Sequence, residues 1–182
     1  MMNIPNLLTL LRLILVPLIV ILLIQGSFLK ALAVFVVAGL SDALDGFLAR
    51  VLHQQTVLGA YLDPIADKAL LISSFLTLAV LQVIPGWLAV IIISRDVIIL
   101  LGIAILSLLS IPLEIRPAFV SKVTTALQLI TILMALAINS MPGGFHQLPL
   151  LAVYWLTALF TILSGLNYIA RGVKLINHGA KK

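Results

Sequence analysis

The sequence predicts an all-α integral membrane protein: a six-transmembrane-helix bundle forming a single domain over residues 1–182, with the N and C termini cytoplasmic. Three observations carry that prediction. Hydrophobic residues make up 63% of the chain and charged residues 9%, whereas soluble domains run near 45–50% apolar and about 25% charged. The apolar sequence is gathered into about six runs, each long enough for a hydrocarbon core of about 30 Å, which takes ~20 helical residues. Lys and Arg are concentrated in alternate connections. The runs lack the two-residue alternation of a barrel strand, and a helix satisfies its own backbone polar groups in lipid, so helices are the expected spans.

The first run, near 6–25, carries Arg12 within it and is followed by Gln25-Gly26-Ser27. A cleaved signal peptide would have its basic residue before the apolar stretch and small residues after it, so this run reads as a retained span. The second lies near 29–50 and ends before the polar stretch His53-Gln54-Gln55-Thr56. The third, near 60–82, contains Pro64 directly after Asp63. Either the helix starts there, with Asp63 close to its N-cap, or the proline lies inside the helix and kinks it. Pro85-Gly86 opens the fourth run, near 86–110, which stops at Ile111-Pro112. The fifth, near 117–140, stops at Pro142-Gly143-Gly144, and the sixth runs near 149–171 into the polar tail 177–182.

Arg50 follows the second run, Arg116 and Lys122 lie between the fourth and fifth, and Arg171, Lys174, Lys181 and Lys182 follow the sixth. The loops near 82–86 and 140–148 have no Lys or Arg, and the first loop has only Lys30. Basic residues in short loops mark the cytoplasmic side. The net charge of +5 is distributed as anionic lipid headgroups require, and no nucleic-acid partner is expected. Cysteine is absent, which excludes a disulfide framework and thiolate chemistry.

Four of the six acidic residues, Asp42, Asp45, Asp63 and Asp67, fall within 26 positions of otherwise apolar sequence. One carboxylate at the centre of a span costs roughly 2.5–3.5 kcal/mol, so four uncompensated ones would cost about 10–14 kcal/mol by simple addition. Asp42 and Asp45 are three apart at the end of the second run; Asp63 and Asp67 are four apart near the start of the third. Each pair shares a helix face. A short connection makes these helices antiparallel neighbours, so the two pairs converge near the cytoplasmic surface. Hard oxygen ligands without cysteine favour Mg²⁺, Mn²⁺ or Ca²⁺ over zinc. Two divalent ions would cancel four negative charges, and two-metal sites recur where a phosphate ester is displaced. Lys68, beside Asp67, and Arg50 are too few to pair all four acids, and His53 reads as a loop residue. Gly46 and Gly59 suit close approach of a ligand or a neighbouring helix, and Arg50 suits a carboxylate or a phosphate.

The run Asp42-x2-Asp45-Gly46-x2-Ala49-Arg50-x8-Gly59-x3-Asp63-x3-Asp67 resembles the signature of the CDP-alcohol phosphatidyltransferases, with all eight positions present at the family's spacing. The likeness extends from Asn3-Ile-Pro-Asn-Leu-Leu-Thr9, with Arg12, to Ser121-Lys-Val-Thr-Thr-Ala-Leu-Gln128. It implies six spans, a homodimer, a polar cavity facing the cytoplasm of a cell (inner) membrane, and two divalent ions, Mg²⁺ or Mn²⁺. It also implies CDP-diacylglycerol as donor. Carried over, Asp42, Asp45, Asp63 and Asp67 are metal ligands, with Asp67 also the catalytic base. Gly46, Ala49, Arg50 and Gly59 line the site for the CDP-linked lipid.

A second basic group, Arg95 beside Asp96 with Arg116 and Lys122, is the candidate holder of the acceptor, because an intramembrane Arg is a functional hypothesis by default. Lys122, Thr125 and Gln128 resemble the family branch that uses glycerol-3-phosphate. Ile93-Ser-Arg-Asp-Val97 and Arg116-Pro117 resemble the CMP-forming cardiolipin synthases, which use phosphatidylglycerol. Glycerol-3-phosphate is the expected acceptor, with phosphatidylglycerol the alternative. An intramembrane prenyltransferase also binds pyrophosphate through aspartates, but lacks Asp-Gly-x2-Ala-Arg. A cation channel would spread its acids along a path.

Overall fold

The computed structural model describes residues 4–51, 57–108, 119–141 and 148–179. Six helices lie among them: α1 (Ile4–Ile24), α2 (Phe28–Val51), α3 (Val57–Val80), α4 (Gly86–Leu108), α5 (Phe119–Ser140) and α6 (Leu148–Gly179). The predicted runs match them to within a few residues except at two ends. The third helix begins at Val57, which places Pro64 inside it, not at its first turn. Pro64 has no N–H to donate one turn back, so the helix continues through it with one ladder bond missing. The sixth helix extends to Gly179, past the expected end near 171. Its 32 residues measure about 48 Å at 1.5 Å per residue, well beyond a hydrocarbon core, and Lys and Arg are good helix formers that do not interrupt it.

The chain is an all-helical membrane protein. Among the described residues, four helices contain stretches long and apolar enough to cross a membrane: Leu7–Ile24, Gly86–Leu106, Phe119–Ser140 and Pro149–Lys174. Exposed Leu7, Ile14, Ile21, Val90, Leu100, Trp155 and Leu166 are what a lipid-facing surface requires, since lipid tails set no cost on apolar exposure.

The described residues form two compact units. In the first, α1 packs against both α2 and α3. Thr9, Arg12, Ile19 and Leu23 are buried along one face of α1, and Phe35 and Ala38 of α2 and Ala66, Leu70 and Phe75 of α3 are buried as well. The turn between α1 and α2 is a Schellman motif: the Ser27 N–H donates to the Leu22 carbonyl at 2.9 Å and the Gly26 N–H to that of Leu23 at 2.9 Å. Gly26 takes φ +69° there, the left-handed conformation that glycine adopts without strain. The end of α3 repeats the motif with a non-glycine residue. Val83 and Gln82 donate to Leu78 and Ala79, and Gln82 has φ 59°.

In the second unit α4 packs against α6. Its interior carries a row of polar side chains: Thr124, Gln128 and Thr131 of α5 and Thr157, Thr161 and Ser164 of α6 are buried, as hydroxyl-bearing residues often are between membrane helices. Hydroxyls join the two helices, Thr131 to Thr157 at 2.8 Å and Thr124 to the Phe160 carbonyl at 3.0 Å. Trp87 and Trp155 meet with ring centroids 5.1 Å apart.

Candidate active site

Thr9 and Arg12 are three apart on α1, hence on one helix face, and that face meets the acids. Arg12 is completely buried. Its Nη2 lies 2.8 Å from Asp42 Oδ1 on α2, and its Nη1 donates to Asp67 Oδ1 on α3. Thr9 Oγ1 donates to Asp63 Oδ1, also on α3, at 2.6 Å. Asp42, Asp63 and Asp67 are therefore all held by α1, while Asp42 and Asp67 keep 49% and 43% of their side-chain surface exposed.

Residue spacing alone predicted that the two pairs of acids converge, and it missed the cation that Asp42 and Asp67 share. The sequence reading counted Lys68 and Arg50 as the nearby positive charges and left Arg12 without a role. The signal was present: one arginine in an apolar run, with a threonine one turn before it, marks a polar stripe on a helix that otherwise faces lipid. Among the described residues, Asp42, Asp63 and Asp67 bring three carboxylates to one face of α1, and Arg12 pairs with two of them.

Asp45, Gly46, Ala49 and Arg50 lie on α2, and Gly59 lies on α3; the side chains at these positions are outside the described residues. Among the described residues no three His, Cys, Asp or Glu side chains gather closely enough to cage a metal ion. The donor chemistry nevertheless fits a hard divalent cation. Carboxylates from two helices already share one cationic group, and every donor is oxygen.

In the second unit Arg95 is buried at 5% exposure and serves three helices. Its Nη1 donates to Asp96 Oδ1 at 2.8 Å, and its Nη2 donates to Ser121 Oγ on α5 and Ser164 Oγ on α6, each at 2.7 Å. The guanidinium carbon lies 5.7 Å from the centre of the Tyr168 ring, within cation–π range. Gly165 lies beside this side chain, where a Cβ would make an ordinary van der Waals contact of 3.6 Å with Arg95 Cγ. Lys122 is exposed on α5, and Arg116 lies outside the described residues.

Known proteins supply the remaining evidence. Residues 2–163 match the CDP-alcohol phosphatidyltransferase family. The chain is 35% identical to the cardiolipin synthase (CMP-forming) of Rattus norvegicus over 96% of its own length, and spans 63% of that protein. It is 34% identical to a probable phosphatidylglycerophosphate synthase of Mycobacterium tuberculosis, covering 94% of this chain and 82% of that one. It is 30% identical to the CDP-diacylglycerol–glycerol-3-phosphate 3-phosphatidyltransferase of Aquifex aeolicus, covering 96% and 98%. The acid motif, the helical architecture and a match across most of the sequence agree: this chain belongs to the CDP-alcohol phosphatidyltransferase family.

Proposed function

We propose that the protein transfers the phosphatidyl group of CDP-diacylglycerol to the hydroxyl of sn-glycerol-3-phosphate, releasing CMP and forming phosphatidylglycerophosphate. The observation that carries the reading is the meeting of Asp42 and Asp67, from two helices, at one cationic group within the family's acid motif. Asp67 is the general base. It takes the proton of the acceptor hydroxyl as that oxygen attacks the phosphorus bearing the diacylglycerol, and the bond from that phosphorus to the CMP oxygen breaks. Asp42, Asp45, Asp63 and Asp67 would hold two Mg²⁺ or Mn²⁺ ions, which when bound offset charge on the pyrophosphate. Gly46, Ala49, Arg50 and Gly59 line the CDP site. Arg95, Arg116 and Lys122 hold the acceptor phosphate, as guanidinium and ammonium groups do.

All six helices span the cell (inner) membrane in this reading, in one domain that pairs into a homodimer. Helices α2 and α3 have 24 residues each, about 36 Å of helix, enough to cross. The Lys and Arg bias places both termini and the acid cluster on the cytoplasmic side.

A second reading has phosphatidylglycerol as acceptor and cardiolipin as product. It is favoured by the 35% identity to CMP-forming cardiolipin synthases of Rattus norvegicus and Homo sapiens, and by Asp96 after Arg95, where glycerophosphate enzymes more often carry glutamate. The deciding experiment incubates purified protein with CDP-diacylglycerol, Mg²⁺ and one acceptor at a time, and measures CMP. Release with glycerol-3-phosphate alone supports the first reading and release with phosphatidylglycerol alone the second. No CMP with either removes both.

A further inference from the structure

We propose that Arg12 is the internal counter-cation of the acid cluster: it positions Asp42 and Asp67 across two helices and competes with a divalent ion for them. The proposal rests on the metal reading above. Arg12 contributes from α1, outside the acid motif, and nothing in that motif's spacing calls for a cation there.

The way Arg12 is held separates this role from that of a simple structural staple. A buried arginine held chiefly by hydrogen bonds would have its N–H groups satisfied, commonly with a bidentate fork onto one carboxylate. Arg12 instead gives one nitrogen to each of two carboxylates on different helices. The Nη2 contact to Asp42, at 2.8 Å, is an ion pair that lacks hydrogen-bond alignment, and Nε has no hydrogen-bond partner among the described residues. A fully buried guanidinium with incomplete hydrogen bonding is held mainly by charge. Asp42 and Asp67 would both be among the residues holding a divalent ion, so such an ion would draw on carboxylates that Arg12 already engages. Thr9 extends the arrangement by holding Asp63 from the same face of α1, so the α1 stripe keeps the three acids in place independently of any ion.

Two consequences are measurable. Without Arg12 the acids repel one another unless a metal is present, so stability becomes metal-dependent. The metal also loses a like-charged neighbour, so it binds more tightly.

The experiment compares full-length wild type, Arg12→Gln and Arg12→Lys in detergent, by thermal melting in chelator and in Mg²⁺ and by Mn²⁺ binding followed by electron paramagnetic resonance. For Arg12→Gln the expected result is a lowered Tm in chelator, largely restored by Mg²⁺, with Mn²⁺ bound roughly tenfold more tightly. Arg12→Lys keeps the charge but, as a single ammonium, satisfies only one carboxylate. It should bind Mn²⁺ roughly two- to threefold more tightly than wild type, and it decides the matter if Arg12→Gln does not fold. Equal Tm losses with and without Mg²⁺, or unchanged or weaker Mn²⁺ binding in the variant that folds, overturn the proposal while leaving the metal reading intact. A wild-type protein that binds no Mn²⁺ overturns both.

Discussion

Arg12 and Asp67 stand 55 positions apart in the chain, on α1 and α3, and the guanidinium of the first donates directly to the carboxylate of the second. The same guanidinium reaches Asp42 on α2. The helix that contributes no acid therefore sets the geometry of the acid cluster.

Asp67→Asn keeps the size of the side chain and its capacity to accept a hydrogen bond from Arg12, but removes the base. Turnover should fall by roughly 10²–10⁴-fold, and the Tm in detergent should fall as well, because the buried Arg12 loses one of its two anionic partners. A variant that retains wild-type CMP release would show that Asp67 is not the proton acceptor.

Chelation should abolish CMP release, and adding back Mg²⁺ or Mn²⁺ should restore it, because the donor set is hard oxygen throughout. Activity that persists unchanged in excess chelator would exclude a divalent ion from the reaction.

Arg95→Met removes one partner of the buried Arg95–Asp96 ion pair, and breaking a buried pair from one side costs about 3–5 kcal/mol. The double variant Arg95→Met/Asp96→Asn should recover part of that in thermal melting. If it melts no higher than the single variant, the Arg95–Asp96 pair is not what the mutation broke. In Arg95 variants that fold, the KM for the acceptor should rise with little change in that for CDP-diacylglycerol, which separates acceptor binding from a purely architectural role.

The two left-handed turns give a matched pair of stability tests. Gly26→Ala places a Cβ at φ +69° and should destabilise by about 1 kcal/mol. Gln82→Gly relieves the same conformation at φ 59°, so the variant should melt at or above wild type. A Gly26→Ala variant that melts at or above wild type, or a Gln82→Gly variant that melts clearly below it, would contradict the turn assignment.

Much of this protein was legible before any coordinates. The positions of the helices follow from apolar run length and from breakers such as Pro85 and Pro112, because bilayer thickness and backbone satisfaction are constraints on contiguous sequence. The four aspartates stood out because carboxylates in apolar sequence require compensation, and their spacing of three and four assigned each pair to one helix face. Pro64 was left open between a helix start and a helix interior. Its local chemistry permits both, and the helix from Val57 settled the matter.

The sequence by itself thus determined that the chain is helical, that it belongs in a membrane and where its acidic residues gather; all three are properties of composition or of short separations along the chain. Tertiary structure alone decided the partners. Arg12 meets Asp42 and Asp67, and Arg95 meets Ser164 across 69 positions, because the rotation and packing of whole helices choose which faces touch. Spacing along one helix constrains that choice only weakly, and in lipid it is set by close packing and interhelical polar contacts.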